Sequence, residues 1–203
     1  MSTDVDPDAV TSLLALGEVL ASGQAGVALL EAGLNAHVAT VAEIGLVAEG
    51  DPRDALPVGL DTPAIRGILE RVQVLVVPGY MGIDPRGRVL LFGRGGSDLT
   101  AVHLACELDV ASCTLVKDVD GLYVDNPRIE NLRPVRYRCI RYSDAARLGG
   151  GVVQAKALAL AEGRGLTFRV RSSPSTGGTL VGGASSAVES TLSAQRAQGG
   201  GGA

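Results

Sequence analysis

Lysine is nearly absent from this chain. Of 18 basic residues among 203, only Lys117 and Lys156 are lysines. Where arginine so dominates, a retained lysine marks either chance or a place that prefers a compact ammonium, as phosphate contacts sometimes do. Cysteine is scarce too: Cys106, Cys113 and Cys139 are an odd count without C-x-x-C spacing, and read as reduced core thiols. The two histidines, His37 and His103, have no partner pattern for a metal site or a catalytic triad and read as structural. With a net charge of −4 there is no basic surface for nucleic acid. The opening MSTDVDPDAV lacks the charged-then-apolar pattern of a signal, and no apolar run reaches transmembrane length. The expectation is a cytoplasmic protein with neither nucleic acid nor membrane as a partner.

What is present is apolar bulk and two chemically loaded turns. A 46% hydrophobic chain of this length reads as one soluble domain with a sizeable core. Gly93-Arg94-Gly95-Gly96-Ser97-Asp98 lies between a strand-like run, Val89–Phe92, and a helix-like run, Leu99–Leu108. Glycines there permit positive φ, and the helix start offers unpaired N–H groups at the positive end of its dipole. Such a turn suits an anion. Arg94 adds a planar donor fork, Ser97 is a natural N-cap, and Asp98 can hold an ammonium or orient a metal or water. The alternative is a turn whose glycines only let the helix pack; Arg, Ser and Asp together favour a small zwitterion or a phosphorylated ligand.

The second turn follows a buried strand at Thr114–Val116 and reads Lys117-Asp118-Val119-Asp120-Gly121-Leu122-Tyr123. Ligands of open α/β sheets sit at that strand end. Asp118 can accept from a ribose hydroxyl, Tyr123 can face a base, and Lys117 or Arg128 can meet phosphate oxygens. An acidic turn with a half-buried tyrosine fits the spacing equally well.

PGYMG from Pro78, GRGGSD from Gly93 and KDVDGLYVDNPR from Lys117, in this order, resemble the amino-acid kinase superfamily, and most closely the aspartokinase catalytic domain. The resemblance runs from about Leu13 to Gly183. It implies an α/β fold, a three-layer αβα sandwich, and phosphoryl transfer from ATP with Mg2+ to an amino-acid carboxylate. It further implies that Arg94 and Asp98 work at the reacting centre. Glu18, Gly95, Gly96 and Ser97 would join them on the amino acid, and Lys117, Asp118, Tyr123, Arg128 and Lys156 would hold the nucleotide. The family's Lys-x-Gly-Gly phosphate loop and its regulatory ACT domains have no counterpart in these residues. The family's Phe-Gly-Ala-Lys lysine is matched by Gly151, with Lys156 five residues beyond. The expectation is therefore a homo-oligomer, or a hetero-oligomer with a kinase-like chain, that completes the site. The alternative is a pseudokinase serving as a ligand-binding, regulatory or structural subunit.

The remaining elements follow from period and punctuation. Asp6-Pro7-Asp8 starts a helix whose apolar stripe, Val10, Leu13, Leu14, Leu20, Val27 and Leu30, stops at Gly33. Ala36–Val41 and Val72–Val77 read as strands, Glu43–Leu60 as loop-rich, and Thr62 as the N-cap of a helix to Arg71. Pro78–Gly82 reads as a turn and Asp84–Arg88 as a polar hairpin. Arg133, Arg136, Arg138 and Arg141 form a solvated or interface patch. Val152–Glu162 is a helix and Leu166–Arg171 a strand. The domain reads as residues 1–182, and the Gly, Ala and Ser-rich stretch 183–203 as a mobile tail.

Overall fold

The computed structural model describes residues 6–125, 135–148, 151–173 and 175–189. The chain forms two compact units, Met1–Asp109 and Val110–Ala203, where composition led to an expectation of one domain.

In the first unit α1 spans Pro7–Glu31, with Pro7 at its first position and the Asp6 carboxylate accepting from the Asp8 N–H at 3.1 Å. Parallel strands β1 (Ala36–Val38) and β4 (Val74–Val76) pair Ala36 with Val74. A second sheet runs in the order β3 (Leu56–Gly59), β2 (Val47–Glu49), β5 (Met81–Ile83) and β6 (Val89–Leu91). Helices α2 (Thr62–Leu69) and α3 (Gly96–Leu108) complete the unit, and α1 packs on β1, β4 and β6. Ile44, Leu46, Ile65, Leu91, Phe92 and Val102 are its most completely buried large side chains.

In the second unit the sheet order is β11 (Ala187–Val188), β8 (Tyr137–Ile140), β10 (Thr179–Val181), β9 (Phe168–Ser172) and β7 (Thr114–Lys117). β7 lies parallel to β9, with Lys117 opposite Ser172. Helices α4 (Tyr142–Arg147) and α5 (Ala155–Arg164) pack on each other, over a core that includes Phe168, Val170, Ile140 and Val181.

The sequence reading is corrected in several places. The stretch 43–60 holds the β2–β3 hairpin rather than loop alone, because Gly50-Asp51-Pro52 turns two strands too short to show a period. Met81 and Gly82 belong to β5, not to a turn. The cap of α2 is Asp61, whose carboxylate accepts from Ala64 N at 2.9 Å, so Thr62 is already helical. The cysteines are half-buried rather than core. β11 lies within the stretch expected to be a tail.

The largest reversal is in α1. Its apolar stripe is not the packed face: Thr11, Ala15, Ser22 and Gly26 are buried, while Leu13, Leu14, Leu20, Val27 and Leu30 are exposed. A Cβ on Gly26 would overlap the Val38 side chain, so small residues set how closely helix and strand approach. Small residues between the leucines also extend the apolar length. Among the described residues α1 is long and apolar enough to cross a membrane, with mean hydropathy 1.6 over 18 residues. Length and composition alone license no more than that, and its small-residue face is packed against strands.

Candidate functional site

The turn between β6 and α3 is built by its glycines. Gly93 and Gly95 have φ of 74° and 73°, in the left-handed region that glycine occupies without a Cβ penalty. Gly95 is the N-cap, with no side-chain cap hydrogen bond, so the expectation that Ser97 caps α3 is not met. Two left-handed residues tighten the turn, start the helix at Gly96 and leave Ser97 exposed in its first turn.

A second segment clamps this helix start. Tyr80 has φ of 73°, which costs a non-glycine residue about 1–2 kcal/mol. Its N–H donates to Thr100 Oγ1 at 3.1 Å and its carbonyl accepts from Phe92 N at 2.8 Å. Thr100 Oγ1 in turn donates to the Gly96 carbonyl at 3.0 Å. Gly96 has no room for a side chain, since a Cβ there would stand 2.8 Å from the Tyr80 ring and 2.9 Å from Phe92 Cβ. At Gly79, a Cβ would meet Ser97 at 3.1 Å. These glycines therefore let Tyr80, Phe92 and Ser97 pack tightly against the corner, while Gly96 N and Asp98 N donate within the turn to the Gly93 and Gly95 carbonyls at 3.0 and 3.1 Å.

Arg94 and Ser97 are exposed on the turn, while Asp98 is buried in the first helical turn, where the dipole favours a carboxylate. Glu18 is half-buried on the face of α1 that carries Thr11, Ala15 and Ser22, and α1 packs on β6, the strand that feeds the turn. The structure thus gathers Arg94, Gly95, Gly96, Ser97 and Asp98 into one corner, with Glu18 on a neighbouring element.

In the second unit Lys117 ends β7 half-buried, Asp118 is exposed, and Tyr123 is half-buried in an isolated bridge with Arg136. Burial pushes the Tyr123 hydroxyl above its ordinary pKa, and Arg136 only partly offsets this. Lys156 is the second residue of α5, half-buried. Arg128 lies outside the described residues.

The sequence reading missed what holds this second turn. Arg136 is not part of a solvated patch: its side chain is 15% exposed and forms ion pairs with Asp120 and, at 2.6 Å, with Glu189. Its guanidinium also donates to the Asp120 carbonyl at 2.9 Å. Burial lowers its pKa, but the two carboxylates outweigh that and the net shift is upward. Fully buried Thr179 accepts from Leu122 N at 2.8 Å and donates to the Tyr137 carbonyl at 2.6 Å. Tyr80 and Thr100 were missed in the first unit. Only Thr100 carried a local signal, four residues after Gly96 on a helix.

Among the described residues no group of three or more His, Cys, Asp or Glu stands together as a metal site. A magnesium ion arriving with a nucleotide draws most of its ligands from phosphates and water, with at most one or two carboxylates from the protein.

The profile of the amino acid kinase family matches residues 3–172. An aspartokinase of Bacillus sp. (strain MGA3) is 34% identical over 165 residues, covering 79% of this chain and 40% of that protein. Aspartokinase 2 of Bacillus subtilis (strain 168) is 33% identical over 174 residues, covering 83% and 42%. The chain thus spans about two fifths of the length of these relatives. E. coli aspartokinase III in complex with aspartate and ADP superposes with a TM-score of 0.74 at 26% identity, over 89% of this chain and 42% of that one. UMP kinase from Bacillus anthracis, TM-score 0.64 at 21% identity over 92% of this chain and 74% of that one, shares the fold alone. With a profile match over most of its length and the GRGGSD corner built as described, the chain belongs to the amino acid kinase family and has its α/β fold.

Proposed function

We propose that this chain carries an aspartokinase-like phosphotransferase site, moving the γ-phosphoryl group of ATP to the side-chain carboxylate of aspartate or a similar amino acid. The observation that carries the reading is the Gly93–Asp98 corner, a glycine-built helix start without a side-chain cap, with an exposed arginine fork and a buried carboxylate beside it. That donor and acceptor set suits a zwitterion with an extra anionic group.

In the first unit the amino acid's carboxylates are assigned to Arg94, to Ser97 and to the backbone at Gly95 and Gly96. Its ammonium is assigned to Asp98 and Glu18. In the second unit nucleotide phosphates are assigned to Lys117, Lys156 and Arg128, a ribose hydroxyl to Asp118 and the base to Tyr123. Phosphoryl transfer depends on positioning and on neutralising charge rather than on covalent chemistry, and these residue types supply both. Magnesium bridging the phosphates would add charge neutralisation when bound. The likeness to relatives named aspartokinases, one solved with aspartate and ADP, supports the reading. A second subunit, identical or kinase-like, belongs to the same proposal.

The test is a thermal-shift series on the purified chain with Mg-ATP, Mg-ADP, aspartate and glutamate, with ADP release followed in the same samples. Aspartate-dependent ADP release is the expected result. Stabilisation without turnover would replace the enzyme with a ligand-binding pseudokinase, and no shift with any ligand would sink both readings.

A further inference from the structure

Arg136, immediately before β8, holds the 120–123 turn in a fixed direction. Its Nη1 donates to the Asp120 carbonyl at 2.9 Å and also to the Asp120 carboxylate. Its Nε and Nη2 both donate to Glu189 Oε1, at 3.1 and 2.6 Å, and the Glu189 N–H donates back to the Arg136 carbonyl at 2.9 Å. A planar fork can satisfy these acceptors together, which a compact ammonium cannot do. Backbone fastens the far end of the turn. Tyr123 bridges Arg136, Tyr137 N donates to the Leu122 carbonyl at 2.8 Å, and Leu122 N donates to Thr179 Oγ1 at 2.8 Å. Between the two ends Gly121, at φ 122°, admits no side chain: a Cβ there would stand 2.6 Å from Thr179 Oγ1 and 3.0 Å from Arg136 Cδ.

Stability alone does not call for an arginine in this place. A largely desolvated guanidinium between two carboxylates recovers about what its removal from water costs, and an uncharged set of similar volume is often as stable. What the ionic set adds is geometry. Asp120 is gripped through both its carbonyl and its carboxylate, so neither its backbone nor its side chain can turn independently. Asp118 lies two residues before it and Tyr123 three residues after it, and these are the groups assigned to the ribose and the base.

We infer that Arg136, backed by Glu189, is a positioning residue for the nucleotide, which rests on the site reading proposed above. It acts through Asp120 rather than on the ligand. With Asp120 fixed at one end of the turn and Leu122 at the other, Asp118 and Tyr123 are presented in one arrangement before a nucleotide arrives. Binding then does not have to order the turn, and the ordering cost that would weaken affinity is met on folding. Glu189 belongs to the same device because it holds the other edge of the fork, so β11 contributes to a turn whose own strand, β7, lies at the opposite edge of the sheet.

Titration calorimetry on the full chain with Mg-ADP and with aspartate tests it, alongside the Tm of each variant. The triple variant Asp120→Asn, Arg136→Met, Glu189→Gln removes the whole ionic set and strands no charge, so its Tm is expected within about 4 °C of wild type. Its Kd for Mg-ADP is expected to rise about tenfold or more, because the contact groups are no longer held in place. Its Kd for aspartate, assigned to the first unit, is expected to stay within about twofold. Arg136→Lys keeps the charge without the fork, and is expected to weaken Mg-ADP and spare aspartate in the same way. A triple variant or an Arg136→Lys that binds Mg-ADP as tightly as wild type would overturn the positioning role and leave the nucleotide site standing. Loss of both ligands together in Arg136→Lys would make the network merely structural and overturn it too. A wild type that binds aspartate but no Mg-ADP would overturn the nucleotide assignment itself, and this role with it.

Discussion

The two loaded turns of this chain are built on opposite principles. The turn after β6 is held by its own backbone, with left-handed glycines at 93 and 95 and a clamp from Tyr80 and Thr100 at most 20 residues away. The turn after β7 is held from afar: Asp120 by Arg136, Arg136 by Glu189 53 residues on, and Leu122 by Thr179 57 residues on. A turn encoded locally is specified wherever its sequence appears, whereas one tied by distant side chains exists only once the sheet of the second unit has formed. The first carries an exposed arginine and serine.

This contrast can be broken, and the largest effect should come from the remote turn. Arg136→Ala strands two part-buried carboxylates, and the cost should be about 2–3 kcal/mol, below the 3–5 of a fully buried pair because Asp120 and Glu189 are 32% and 25% exposed. At roughly 2–4 °C per kcal/mol that is a fall of about 4–12 °C in Tm, read by calorimetry. A Tm unchanged within a degree would remove the network from the account.

Gly96→Ala is the corresponding break in the local turn. Its Cβ has Tyr80 and Phe92 within 3 Å, so overpacking should cost about 1–3 kcal/mol. The same variant should lose stabilisation by aspartate, because the helix start must shift. Retained ligand stabilisation with lowered Tm would mean that the corner is structural only.

Asp84→Asn tests the hairpin that leads into β6. Burial raises the Asp84 pKa, but N–H donors of Arg88 and Arg86 and the Arg88 guanidinium outweigh this, so its carboxyl lies below the ordinary 3.8. A lowered folded pKa contributes stability above the unfolded value and loses it as pH falls through the folded one. The wild-type advantage in Tm over Asp84→Asn should be full at pH 7 and shrink below about pH 4. A pH-independent difference would contradict the assignment.

Arg94→Ala should be the mildest for folding, within about 0.5 kcal/mol, since the residue is exposed. It sharpens the comparison because it should abolish the thermal shift with aspartate while leaving Tm unchanged. An unaltered aspartate shift would remove Arg94 from the proposed site.

Much of the fold was legible where period and punctuation are strong. Pro7 and Glu31 bound a helix foreseen from Asp6-Pro7-Asp8 and Gly33, and β6, α3, β7 and α5 lie close to their expected places. The β2–β3 hairpin and β5 were not legible, because three-residue strands show no alternation to count. Of the candidate site, the corner from Arg94 to Asp98 was visible as a motif, because glycine chemistry is local. The roles of Arg136, Thr179 and Glu189 were invisible, since each acts through a partner remote in sequence, and Tyr80 stood in the PGYMG motif without its contact to Thr100 being legible.

The sequence by itself determined the family, the order of helices and strands around the turns, and the residue types offered at the two turns. Local backbone preference and motif spacing carry that information. Tertiary structure alone decided which face of α1 is packed, which arginine is tied down and where each helix is capped. Those outcomes depend on how close two backbones can come. At Gly26 the small face wins the contact with β1, and the leucines that looked like core are left facing outward.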